Sequence, residues 1–113
     1  MVRYMLLIYG ERPTAPSAEQ WWAYERAVTD AGIKQASEAL RGVDTATTVR
    51  VREDGEMVIT VGPFAQTREV LGGYYVLDVP DFDTALEWAA RCPVTKYGGC
   101  VEVRPITEHT SPT

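Results

Sequence analysis

Glu38, Glu69 and Tyr74 are the side chains in this sequence whose types and settings can do chemistry. A carboxylate lifted toward neutral pH by partial burial can take a proton from a substrate, and a phenol can orient a carbonyl or hydroxyl by hydrogen bonding. These three are the candidate catalytic residues. Tyr9 joins them as a candidate for substrate binding, and the stretch from Val61 to Gly73 supplies the rest: Val61, Pro63, Phe64, Gln66, Arg68, Gly72 and Gly73. The stretch carries a Gly-Pro turn, a polar loop and a Gly-Gly pair into an apolar strand, and such loops are where small domains usually keep their sites. Each residue also has a plainer use. The acids can be solvated or paired with Arg68 or Arg41, the tyrosines can provide packing area with one polar end, and the glycines can allow close backbone approach or a positive φ.

Other chemistries are poorly served. His109 is the only histidine and lies in a polar tail, which leaves no histidine-based metal cluster or Ser-His-Asp arrangement unless a partner chain contributes. Cys92 and Cys100 show no Cys-x-x-Cys or Cys/His spacing, and they read as buried or partly buried free thiols. Gly72-Gly73 lacks the Gly-x-x-x-x-Gly-Lys pattern of a phosphate loop. No metal and no organic cofactor is expected. The net charge of -5 argues against binding to nucleic acid or to an anionic membrane, since phosphate contacts draw on Lys and Arg. The apolar run Met5 to Ile8 is too short for a signal-peptide core, and no run approaches the roughly 20 residues of a membrane helix. A cytoplasmic protein is expected.

The elements that must position these residues follow from periodicity. Arg3 to Tyr9 alternates as a strand with two largely apolar faces, and Ser17 to Gln20 has the form of a capping box. The helix it opens carries Trp21, Tyr24, Val28 and Ala31 on one stripe and ends at Gly32. Trp21 reads as core, while Trp22 and Trp88 fall off their stripes and are left to a cleft entrance, a neighbouring subunit or partial exposure. Ile33 to Leu40 is a brief strand containing Glu38. Thr45 to Arg52 and Met57 to Val61 form a β-hairpin with one wet face. Ala65 to Leu71 is expected as a short helical turn before Gly72-Gly73, and Tyr74 to Val79 as a strand. Asp81 caps a second helix with the stripe Phe82, Ala85, Leu86, Ala89 and Ala90, ended by Cys92-Pro93. Cys100 to Arg104 is the last strand, and Thr107 to Thr113 a frayed polar tail.

With 113 residues, 45% of them hydrophobic and 24% charged, one globular domain is expected over residues 1–106. The order is β-α-β, an inserted hairpin, then β-α-β. It predicts an α+β fold, a ferredoxin-like βαββαβ sandwich with two helices on one face of an antiparallel sheet. The opposite face then carries Met5, Leu7, Tyr9, Tyr74, Val76 and Cys100 with a charged rim of Arg3, Asp78, Glu102 and Arg104, the pattern of a homodimer or ligand cleft.

Tyr4 to Gly10, Ala46 to Arg50, Gly62-Pro-Phe64, Leu71 to Tyr75, Ala85 to Pro93 and Val101 to Pro105 closely resemble, in the same order, the DGPF-domain proteins of the YCII-related family. The resemblance implies a bacterial protein with a ferredoxin-like, dimeric α-β barrel fold. It also implies a small-molecule pocket, with either a cofactor-independent lyase or isomerase acting on a small cyclic or phenolic substrate, or a non-catalytic accessory role beside a partner such as a sigma factor. Two residues depart from the family pattern. Val61 stands where the naming motif has Asp, and Gln66 replaces the usual acid after Phe-Ala. Valine has no proton to transfer and no lone pair to offer, so acid chemistry at that position is lost.

Overall fold

The computed structural model describes residues 1–10, 15–65 and 67–109. The order is β1 (Val2–Gly10), α1 (Ala18–Asp30), β2 (Lys34–Ala39), β3 (Thr47–Val51), β4 (Met57–Val61), β5 (Val70–Val79), α2 (Phe82–Arg91) and β6 (Cys100–Pro105). Four strands form one sheet in the order β2-β5-β1-β6, antiparallel throughout, while β3 and β4 pair only with each other. The expected α+β architecture with an inserted hairpin is therefore present, and its strand order is the ferredoxin-like one.

Period-two alternation sorts the central strands into two faces. Tyr4, Leu6 and Ile8 of β1 lie opposite Leu77, Tyr75 and Gly73 of β5, and the helix-side residues of both strands are buried. Val28 of α1 and Ala85 of α2 close that layer, with Leu6, Leu77, Val28 and Val79 almost wholly excluded from water. Each such aliphatic side chain contributes roughly 1.5–3 kcal/mol by leaving water. Helix α1 starts where its capping box dictates: Ser17 Oγ accepts from Gln20 N at 3.2 Å, and Gln20 Oε1 accepts from Ser17 N at 2.8 Å. Gly32 follows the helix with φ of 71°, as its terminating role requires. Asp81 Oδ1 accepts from Thr84 N at 2.8 Å and caps α2.

Several sequence expectations change. Among the described residues from Ala65 to Leu71 there is no helical turn, and β5 begins at Val70, so Gly72 and Gly73 lie inside a strand rather than before one. A Cβ on Gly73 would sit 2.6 Å from the Glu38 carbonyl oxygen, which is the close approach that makes glycine necessary there. Cys92 is buried as expected, but Cys100 is exposed because it lies on the uncovered sheet face. Leu86, Ala90 and Ala31 are also exposed. Helix α2 turns Ala85, Trp88 and Ala89 inward instead, with Trp88 half-buried 6.3 Å from the Tyr24 ring and Arg91 stacked on it at 4.1 Å. The hairpin lacks a dry face within the chain, since Val49, Val51, Met57, Ile59 and Val61 are all exposed. The tail is tied as far as Glu108, whose carboxylate accepts from Arg3 Nε at 2.7 Å and Nη2 at 3.0 Å. The proline loop after Gly10 and the tail beyond residue 109 fall wholly or partly outside the described residues.

Candidate functional site

Helical spacing places Trp21, Trp22 and Thr29 around Glu25, since residues three and four apart share a face. Strands β2 and β5 bring the remaining partners. Lys34 Nζ donates to Glu25 Oε2 at 2.5 Å, Thr29 Oγ1 to the same oxygen at 3.1 Å, Tyr75 OH to Oε1 at 3.1 Å and Ser37 Oγ to Oε1 at 3.5 Å. Burial alone would push the Glu25 carboxyl up. The Lys34 ammonium and the Thr29 and Tyr75 hydroxyls outweigh it and hold the group below its ordinary range. Tyr75 is shifted the other way, first by burial and then by the adjacent Glu25 charge, so its phenol remains a donor. The Tyr24 ring meets the Tyr75 ring edge-on at 5.2 Å, and Tyr24 OH donates to the Trp88 carbonyl at 2.8 Å. These contacts fix the tyrosine that fixes Glu25.

This cluster lies in a cleft of about 930 Å³, walled by Trp21 and Trp22 on one side and Leu40, Val43, Val70 and Leu71 on the other. The size and the mostly apolar walls with a few convergent polar groups are those of a small-molecule site. Because neighbouring strand residues point to opposite faces, the cleft takes Ser37 and Tyr75 from one face of the β2–β5 pair and Glu38 and Tyr74 from the other. A second groove of about 940 Å³ is lined by Tyr9, Thr67, Arg68, Glu69, Cys100, Val101 and Glu102. There Cys100 Sγ donates to Glu69 Oε2 at 3.3 Å and Tyr9 OH to Glu102 Oε1 at 3.4 Å. Burial first, then Glu69, raises the Cys100 thiol.

The residues singled out from sequence thus divide. Glu38 and Tyr74, directly opposite across β2 and β5, share the first cleft with Gly72 and Gly73. Glu69 and Tyr9 line the second groove, and Arg68 borders both. Val61, Pro63 and Phe64 border neither; Val61 is 85% exposed on the hairpin and Phe64 lies 5.5 Å from the Arg50 guanidinium. Gln66 lies outside the described residues. Sequence reasoning missed Glu25, Lys34, Ser37 and Tyr75. The available signal was an acid on the helical face of two tryptophans, three or four residues from each. Among the described residues no group of three or more His, Cys, Asp or Glu side chains could hold a metal ion, and no helix is long and apolar enough to cross a membrane.

A family model described as the YCII-related domain matches residues 2–110. The chain is also similar to an uncharacterised protein of Rhizobium meliloti, 34% identical over 85 residues that make up 74% of this chain and 68% of that protein.

Proposed function

The chain belongs to the YCII-related family, and we propose that it binds a small, planar, partly apolar molecule in the cleft between α1 and the β2–β5 pair. One observation carries this reading. A carboxylate with four side-chain donors lines, together with two tryptophans, a cleft of about 930 Å³. With its lone pairs taken, Glu25 fixes the hydroxyls around it, and Ser37 Oγ, whose 3.5 Å bond is the longest of the four, is the group that meets a ligand hydroxyl, while the indoles offer flat apolar area. Held below its ordinary range and already engaged, Glu25 is a weak base, so its part is binding rather than proton abstraction.

Catalysis, where it occurs, falls to the other carboxylate and phenol. Glu38 lies opposite Tyr74 on the other face of the β2–β5 pair and lines the same cleft, exposed and in no ion pair among the described residues. Together they suit a cofactor-independent proton transfer, of the lyase or isomerase kind, on a cyclic or phenolic ligand. The sheet face turned away from the helices, with half-buried Met5 and Leu7 around buried Val76, suits pairing with a second copy.

Tryptophan fluorescence read against a panel of phenols and lactones tests the binding. A saturable change that weakens tenfold or more in Trp22→Ala and Glu25→Gln supports the cleft. Unchanged affinity in both variants removes it. Glu38→Gln then separates the two roles: turnover lost with binding retained marks a base, and turnover retained marks another source of catalysis.

A further inference from the structure

We propose that the β3–β4 hairpin is an arm that closes on a second copy of this chain. The register places Val49 opposite Ile59 and Val51 opposite Met57, with Val61 on the same face, and Thr48, Arg50, Val58 and Thr60 on the other. The five apolar side chains are between 54% and 85% exposed. They present on the order of 600 Å², most of the roughly 800 Å² that each partner gives to a standard interface. A two-stranded ribbon alone in water is at best marginally stable and needs a third strand or a packed face. Among the described residues neither is provided, because β3 and β4 pair with no other strand and the sandwich core takes no residue from them.

The arm cannot supply its own cover. The molecule measures 49 × 48 × 19 Å, and the short dimension is that of one sheet plus one helix layer, so the hairpin extends in the plane of the sandwich and folds over neither face. A second apolar surface, the sheet face turned away from the helices, carries half-buried Met5 and Leu7 around buried Val76 on the same chain. On that face Asp78 Oδ1 is buried with no hydrogen-bond partner among the described residues. A two-fold copy brings the exposed face of the arm and the part-covered sheet face into contact at once, the self-complementary arrangement of a closed dimer. Face pairing belongs to the reading above. The arm adds a second, separable contact that wraps the partner beyond the sheet.

Sedimentation measured across a wide concentration range tests this. The unchanged chain is expected to be a dimer, and Val49→Asp with Ile59→Asp to weaken it at least about 100-fold, since two buried aliphatic contacts are lost. Thr60→Asp, on the opposite face of the arm, leaves the dimer intact. Circular dichroism confirms that each variant keeps its sheet. Leu7→Asp reports on the sheet face alone: dissociation in Leu7→Asp with the arm variant still dimeric keeps the face pairing and overturns the arm contact. Dissociation in the arm variant with Leu7→Asp still dimeric does the reverse. A wild-type monomer at high concentration assigns the arm to a foreign protein and overturns the proposal.

Discussion

A half-buried carboxylate meeting an ammonium, two hydroxyls and a phenol stays an anion because Lys34, Thr29 and Tyr75 favour the charged form and together exceed the cost of burial. The consequence for stability has a definite sign. The folded pKa of Glu25 lies below the unfolded one, so its contribution is complete above the ordinary carboxylate range and is lost as pH falls through the depressed folded value. Denaturant titrations repeated from neutral to acid pH should therefore show an acid limb that flattens in Glu25→Gln. At neutral pH the same variant should lose about 1–3 kcal/mol, because Lys34, only 28% exposed, is left without its counter-charge. The thiols make a second prediction at this scale. Burial pushes Cys92 up to about 11 and also raises exposed Cys100, whose pKa the Glu69 charge raises further. Alkylation near neutral pH should modify Cys100 slowly and Cys92 only after unfolding, and Glu69→Gln should speed the first reaction.

Strand β5 shows how far local sequence carries an element and where it stops. Its apolar half, the helix caps and the hairpin turn are legible because each depends on residues within four positions of one another. The Gly72-Gly73 pair is not, since a glycine pair reads as a break unless the neighbouring strand is known. Here β2 passes so near that the Glu38 carbonyl occupies the space of a Gly73 side chain. Gly73→Ala should then force β2 from β5, with a loss of about 1–3 kcal/mol in a chemical melt and a weakened cleft. Gly72→Ala has its nearest contact at 4.0 Å, so it should cost far less and serves as the control. The Glu25 cluster was hidden for the same reason. Its partners lie 4, 9, 12 and 50 residues away, and only the first is within reach of a periodicity argument.

At the scale of the whole molecule, a sandwich only 19 Å thick leaves the apolar face of a protruding ribbon in water. Burial of the helix-side core cannot compensate for this, because apolar surface facing solvent contributes nothing to the folded state. In the proposed two-copy assembly that surface is covered by association, and association couples stability to concentration. The melting temperature of the unchanged chain should therefore climb as concentration rises, because a dimer that melts to separate unfolded chains is favoured by mass action. A hundredfold rise in concentration adds about 2.7 kcal/mol per dimer, or a few degrees for a chain of this length. The Val49→Asp and Ile59→Asp double variant should lose most of that slope at the concentrations where it dissociates, while Gly73→Ala should keep it and melt lower throughout. Differential scanning calorimetry distinguishes the two patterns directly. A flat melting temperature in the unchanged chain would mean that the exposed face and arm stay in water, and would remove the two-copy assembly at its foundation.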